Sequence, residues 1–477
     1  MTDSPVLPDS AAGPVAETTL GPVRGTREDG LDVFRGIPYA APPVGEARWR
    51  AARPHAGWSD VRDATAYGPS SPQPHRVDPV LGGHGAPPFD EDCLTLNVWT
   101  PAAGDGRRPV LVWLHGGGFV SGSGTLPIYA GDPFARNGDI VVVSVSYRVG
   151  ALGFLYLGAE DGTDSGNFWI TDQLAALAWV RDNIAAFGGD PGNVTVAGQS
   201  GGAFATLAMA CRPEGRGLFH RMILQSPPLG LTLPDPEEAL RTTRLFMSLA
   251  GVEDVAGLRA MPWEEIVRTT VAMFGATARP GHWLLPFWPV LDGVTLDRDP
   301  LAAAAAGAAR DVDGLLGWTR DEATFAFALD PQVDAATTAG VTDGFFRTPG
   351  LALAEARAKD DVPLRLYQFD WTTPAAEGRF GATHCLDLPF TFHNAERWSH
   401  APFLTGADPG EVEALSDAMH RAWIAFVRTG DPDHPGIPRW EPYGADTRTV
   451  MRFGTAVTAT APFSVDEHAT DGGGVPH

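Results

Sequence analysis

The chain has 477 residues, 44% of them hydrophobic, with 14 Trp and 24 Phe, enough apolar mass for a large buried core. Its 58 acidic against 35 basic side chains leave a net charge of −23, which argues against nucleic acid as a partner and makes solvated surface the simplest use of the excess. Lys359 is the only lysine, so no Walker A loop is available.

The first residues, Met1 to Ser10, lack the basic and apolar regions of a secretory signal, and no run of about 18 apolar residues suggests a membrane span. A cytoplasmic location without membrane attachment is expected. Residues 1–14 and 468–477 are rich in Pro, Gly, Ala, Asp or Ser and should be flexible, leaving 15–467 as a single domain. Between about 71 and 90 the chain is irregular. His75 and His84 could form a metal pair there, but no Cys or second carboxylate motif accompanies them, so no metal is expected.

The apolar run 109–114 reads as a strand and ends in His115-Gly116-Gly117-Gly118-Phe119. Acyl transfer puts negative charge on a carbonyl oxygen, and successive glycines let backbone N–H groups face a cavity that side chains would otherwise fill. The spacing does not match the dinucleotide-binding pattern G-x-G-x-x-G. A strand over 140–147 and a helix near 172–187 follow. A strand over 193–197 then turns through Gly198-Gln199-Ser200-Gly201-Gly202 into the helix-forming Ala203–Met209, the pattern of a nucleophile elbow, and another strand spans 221–226. Strands alternating with helices predict an α/β fold with a mostly parallel sheet. Repeats are not evident.

Several blocks together resemble the type-B carboxylesterase family, which includes para-nitrobenzyl esterases and cholinesterases. They are Phe34-Arg35-Gly36-Ile37-Pro38-Tyr39-Ala40, Glu91-Asp92-Cys93-Leu94, the HGGGF segment, Ser146 to Phe154, Asp172-Gln173, Asn183 to Pro191 and the elbow. The resemblance implies an α/β-hydrolase fold, a central mostly parallel sheet flanked by helices, with helical and loop insertions forming an active-site gorge. It also implies a triad in the order serine, acid, histidine, with Ser200 as nucleophile. A carboxylate that orients an imidazole should sit beyond a strand's C-terminal end, as Asp321-Glu322 does after Gly314–Thr319. Similar sequences use the second of that pair, Glu322; Asp321 is the alternative. His384, in Gly381-Ala382-Thr383-His384-Cys385-Leu386-Asp387, matches the family's histidine block. The resemblance assigns the oxyanion hole to Gly117, Gly118 and Gly201, with Gly116 structural, and His115 reads as a packing residue.

Three positions depart from the family pattern. Gln199 stands where relatives usually carry Glu, removing a negative charge beside the triad. Trp169 replaces a glycine, and Pro227-Pro228 replaces a glycine-containing step. The segment 282–293 resembles the stretch lining the acyl pocket, which makes Trp283 and Phe287, with Gln199 and Phe119, candidate pocket residues. Relatives that bind choline carry a tryptophan before the Glu-Asp-Cys-Leu block; residues 71–90 have none, so a choline ester is not expected. Cys93 matches a disulfide position of secreted relatives, but residues 67–73 offer serine instead of cysteine, so a free thiol is expected.

The expected activity is hydrolysis of neutral, moderately apolar carboxylic esters by a monomer or small homo-oligomer without a cofactor. An acyltransferase using the same acyl-enzyme is the alternative. A non-catalytic recognition protein is a third reading, but such relatives lose triad members and this chain retains all three.

Overall fold

The computed structural model describes residues 13–75, 81–82, 88–158, 166–277, 285–444 and 446–460. Eleven strands form its main sheet: β1 (Thr26–Glu28), β2 (Leu31–Pro38), β3 (Thr95–Thr100), β4 (Gly104–Leu114), β5 (Val141–Val145), β6 (Phe187–Gln199), β7 (Arg221–Gln225), β8 (Asp313–Thr319), β9 (Arg365–Phe369), β10 (Val450–Phe453) and β11 (Val457–Thr460). Their order is β11-β10-β9-β8-β7-β6-β4-β5-β3-β2-β1. The central run from β10 to β5 is parallel, and antiparallel strands finish both edges. A separate three-stranded sheet joins Val15–Thr18, Gly21–Arg24 and Arg62–Asp63.

The centre is parallel because its strands can be covered on both faces. Val141–Val145 is buried at every position, as expected of a β-branched run inside a doubly covered sheet. Along β4, Val110, Val112 and Leu114 join the core on one face while Leu111 and Trp113 join that on the other, the alternation a pleated strand imposes. The register pairs Gln225 with Gln199 and with Gly317, so β6 and β7 end level and β8 runs two residues past them, at the strand ends where α/β enzymes place their ligands.

Four helices matter for the site: α1 (Phe168–Asn183), α2 (Gly201–Ala210), α3 (Pro236–Ala250) and α4 (Pro409–Thr429). The expected helix near 172–187 lies earlier than the sequence suggested. Asn167 adopts the left-handed region at φ 50° and starts α1 at Phe168, while Asn183 turns its side chain back to the Trp179 carbonyl at 2.9 Å and accepts from the Thr19 N–H at 2.6 Å, ending it.

Two buried ion pairs tie loops to this frame, Arg148 to Asp172 at 2.6 Å and Arg48 to Glu91 at 2.6 Å. Burial pushes the Asp172 carboxyl up against the pull of Arg148. Cys93, Cys211 and Cys385 are free, Cys93 and Cys385 buried, and burial raises all three thiols. Among the described residues no helix is long and apolar enough to cross a membrane, and no group of three metal-ligating side chains occurs.

Candidate active site

Ser200 sits between β6 and α2 at φ 54°, ψ −124°, a region costing a non-glycine residue roughly 1–3 kcal/mol. Packing enforces it. A Cβ on Gly198 would lie 2.4 Å from the Gly202 carbonyl carbon, and one on Gly202 would lie 2.2 Å from the Leu114 oxygen. Only glycine lets strand and helix approach this closely. The Ser200 N–H donates to the Gln225 carbonyl at 2.9 Å, and the Ser226 N–H donates to Gly317 at 2.8 Å, bracing three strand tips together.

Glu322 lies beyond the tip of β8 and is fully buried. One carboxylate oxygen accepts the Thr319 N–H at 2.7 Å, and the other accepts from Nδ1 of His384. Asp321 turns away, accepting the Ala382 N–H at 2.8 Å and pairing with Arg320 at 2.8 Å. The rings of Phe325 and Phe346, centred 5.2 and 5.3 Å from the imidazole, cover His384. Burial alone would lower its proton affinity, but its neighbours Cys385 and Glu322 outweigh that and raise it above the ordinary histidine value. The Glu322 carboxylate is the physical source of the rise, because the buried Cys385 thiol remains neutral.

Gln199, read from the sequence as a pocket residue, is only 1% exposed. Its amide Nε2 lies 3.0 Å from Nε2 of His384, so this side chain meets the imidazole and not the open pocket.

The glycine loop approaches from the tip of β4. Gly117, Gly118 and Phe119 all have positive φ, at 126°, 59° and 62°. A Cβ on Gly116 would be 3.1 Å from Ser200 Cβ, and one on Gly117 would be 2.1 Å from the Ser121 oxygen. His115 stacks on Tyr147 with ring centroids 4.2 Å apart, and the Tyr147 hydroxyl donates to the His115 carbonyl at 2.6 Å. Burial lowers His115 to about 4, so it stays neutral near pH 7. Among the described residues, the N–H groups of Gly117, Gly118 and Gly201 are donated to no protein acceptor.

Of the four expected pocket residues, Trp283 lies outside the described residues. Phe119 packs on Phe154, Phe204 and Trp288 at centroid distances of 5.3, 5.9 and 6.1 Å. Phe287 is 2% exposed and meets Phe246 of α3, lining a cavity of about 680 Å³ that also borders Leu285 and Trp288. Leu285 also reaches the glycine loop, its Cδ1 3.0 Å from where a Gly118 Cβ would stand. Leu285 and Trp288 lie in the 282–293 segment, beside the Trp283 and Phe287 expected from the sequence. Trp169 backs this cluster, stacked on Phe154 at 5.7 Å, while Asn167 anchors the segment through Val290, accepting from its N–H at 2.9 Å and donating to its carbonyl at 2.7 Å.

Asp387 lies in the histidine block, a residue to which the sequence assigns no role. It is fully buried, and one carboxylate oxygen accepts from Gln225 at 2.9 Å and from the Tyr367 hydroxyl at 3.0 Å. Its other oxygen has no protein partner. Burial raises this carboxyl to about 6. Its spacing three residues after His384 was the available signal.

Comparison with known proteins gives a consistent result. The carboxylesterase family model matches residues 12–340 and 330–470. A phenmedipham hydrolase of Pseudarthrobacter oxydans is 47% identical over 92% of this chain and 95% of its own length, and a para-nitrobenzyl esterase of Bacillus subtilis is 35% identical over 93% and 95%. Among solved structures, a thermophilic PNB esterase superposes with TM-score 0.88 at 32% identity, covering 95% of this chain and 99% of that one.

Proposed function

This chain belongs to the carboxylesterase family and is a carboxylic ester hydrolase, and from that premise we propose that it cleaves neutral, moderately apolar esters through an acyl-enzyme on Ser200. The observation that carries this reading is the convergence of the strained Ser200, the Glu322–His384 pair and the undonated N–H groups beyond one end of the sheet.

Ser200 Oγ attacks the ester carbonyl carbon while Nε2 of His384 takes its proton. Glu322 holds the Nδ1 proton and stabilises the imidazolium. The N–H groups of Gly117, Gly118 and Gly201 receive the oxyanion. Collapse expels the alcohol, protonated by His384, and water repeats the cycle on the acyl-enzyme. The preference for neutral, apolar esters is supported by the apolar side chains of Leu285, Phe287 and Trp288, which border the cavity beside the glycine loop. The three free cysteines support action in the cytoplasm, and the reading takes the enzyme as a monomer or small homo-oligomer.

The test is a panel of p-nitrophenyl esters of increasing acyl length, with phenmedipham included and a competing alcohol present or absent. Hydrolysis of the apolar neutral esters is expected, with loss of about 10⁶ in kcat for Ser200→Ala. Labelling by an organophosphonate at a residue other than Ser200 overturns the assignment, and transfer to the alcohol outrunning hydrolysis turns the reading to an acyltransferase.

A further inference from the structure

Both ring nitrogens of His384 are occupied. Glu322 takes Nδ1, and the Gln199 amide, not Ser200, is hydrogen-bonded to Nε2 at 3.0 Å. We infer that Gln199 is a positioning residue that donates to Nε2 whenever His384 is deprotonated, keeping the single ring proton on Nδ1 and capping Nε2 until Ser200 takes its place. This rests on the reading of His384 as the general base.

The argument follows from donor and acceptor counting. Glu322 already accepts the Thr319 N–H through one oxygen at 2.7 Å, and its other oxygen is an acceptor that requires a proton on Nδ1. A neutral imidazole has only one N–H, so Nε2 presents a lone pair and must meet a donor. The Gln199 amide can supply one, while its oxygen lies on the Gly116 side, 2.5 Å from where a Cβ on that glycine would stand. With the amide reversed, an oxygen would face Nε2 and require a second ring proton.

The residue at 199 therefore selects the charge state of the base. A carboxylate of the same length can only accept, so it would favour the imidazolium, which cannot take a proton from serine. Other charged or titratable groups facing the ring are Glu322 from the loop beyond β8, and Cys385 and Asp387 from the histidine's own loop. Phe325 and Phe346 bring no charge. None of these changes when position 199 is altered, so its contribution can be isolated.

The experiment compares the native enzyme with Gln199→Glu and Gln199→Met. Three readouts are followed against pH: kcat/KM for a neutral p-nitrophenyl ester, inactivation by a neutral organophosphonate with the labelled residue identified, and the ring N–H signals of His384 by NMR. In Gln199→Glu the acid limb should move up by about one to two pH units, with the Nε2–H signal persisting to correspondingly higher pH. Gln199→Met loses the donor without adding charge and should move the limb in the same direction by less. A lower plateau with an unmoved limb in both variants, and with Ser200 still labelled, overturns this inference and leaves the proposed triad standing. Labelling elsewhere than Ser200 overturns both.

Discussion

Around Ser200 the contacts are made by backbone and by polar atoms with assigned partners, whereas around Leu285 they are made by apolar side chains meeting one another. In the first region a glycine's missing Cβ decides whether strand, helix and loop can meet at all: the distances at Gly116, Gly117, Gly198 and Gly202 all fall at or below 3.1 Å. In the second, Phe119, Phe154, Trp169, Phe204 and Trp288 interlock with centroids 5.3 to 6.4 Å apart, and several rings could exchange roles at similar volume. On the proposed reading, one region carries the reaction and the other shapes what reacts.

If that contrast is right, substitutions near Ser200 should slow every ester alike, and substitutions near Leu285 should re-rank esters. The largest effect after loss of the nucleophile is expected for Glu322→Gln, about 10⁴ in kcat by loss of the carboxylate that fixes the His384 tautomer, against less than about tenfold for Asp321→Asn, whose side chain faces Ala382 and Arg320. Equal losses in steady-state assays would reverse the choice of acid. Gly118→Ala should follow, at about 10²–10³ in kcat, across all acyl lengths; a loss confined to long acyl chains would assign Gly118 to the pocket.

Asp387 tests the polar region through stability. Its carboxyl is raised by burial from 3.8 to about 6, so its stabilising contribution is present below the unfolded value and is lost as pH rises through the folded one. Asp387→Asn removes that dependence. Relative to the native protein, the variant should gain about 2–3 kcal/mol between pH 4 and 7.5 in urea titrations; a constant difference would mean the carboxyl is not held neutral. The smallest effect is expected for Leu285→Ala: about tenfold or less in the ratio of kcat/KM between long and short p-nitrophenyl esters, with little change for the acetate.

This contrast also accounts for what was legible in the chain. The elbow, the glycine triplet and the positions of Glu322 and His384 could be read because each demands a residue type at a fixed place: a strained turn flanked by glycines, an acid beyond a strand tip, a histidine after it in chain order. The strands over 109–114, 140–147, 193–197 and 221–226 announced themselves by continuous apolar runs and overlap β4 to β7. The start of the intervening helix did not, because a left-handed Asn167 is invisible in periodicity. The direction of Gln199 was equally hidden: its partner is 185 residues away, and sequence adjacency to the serine suggested a substrate contact instead. That Leu285 and Trp288 meet the glycine loop while Phe287 meets α3 depended on packing, a choice among apolar residues that hydrophobicity alone does not rank.

Two of the three unpaired thiols, Cys93 and Cys385, give the molecule its own clock. Cys93 sits beside the buried Arg148–Asp172 pair and Cys385 beside the His384 imidazole, both screened from solvent, and a thiol reagent reacts only with an exposed sulfur. A pulse of such a reagent under native conditions therefore times the separate opening of two places, the turn before β3 and the histidine loop, without any label being introduced. If the loop opens on its own, Cys385 is modified before Cys93; if the two yield together, the histidine side of the site is no looser than the core that carries it.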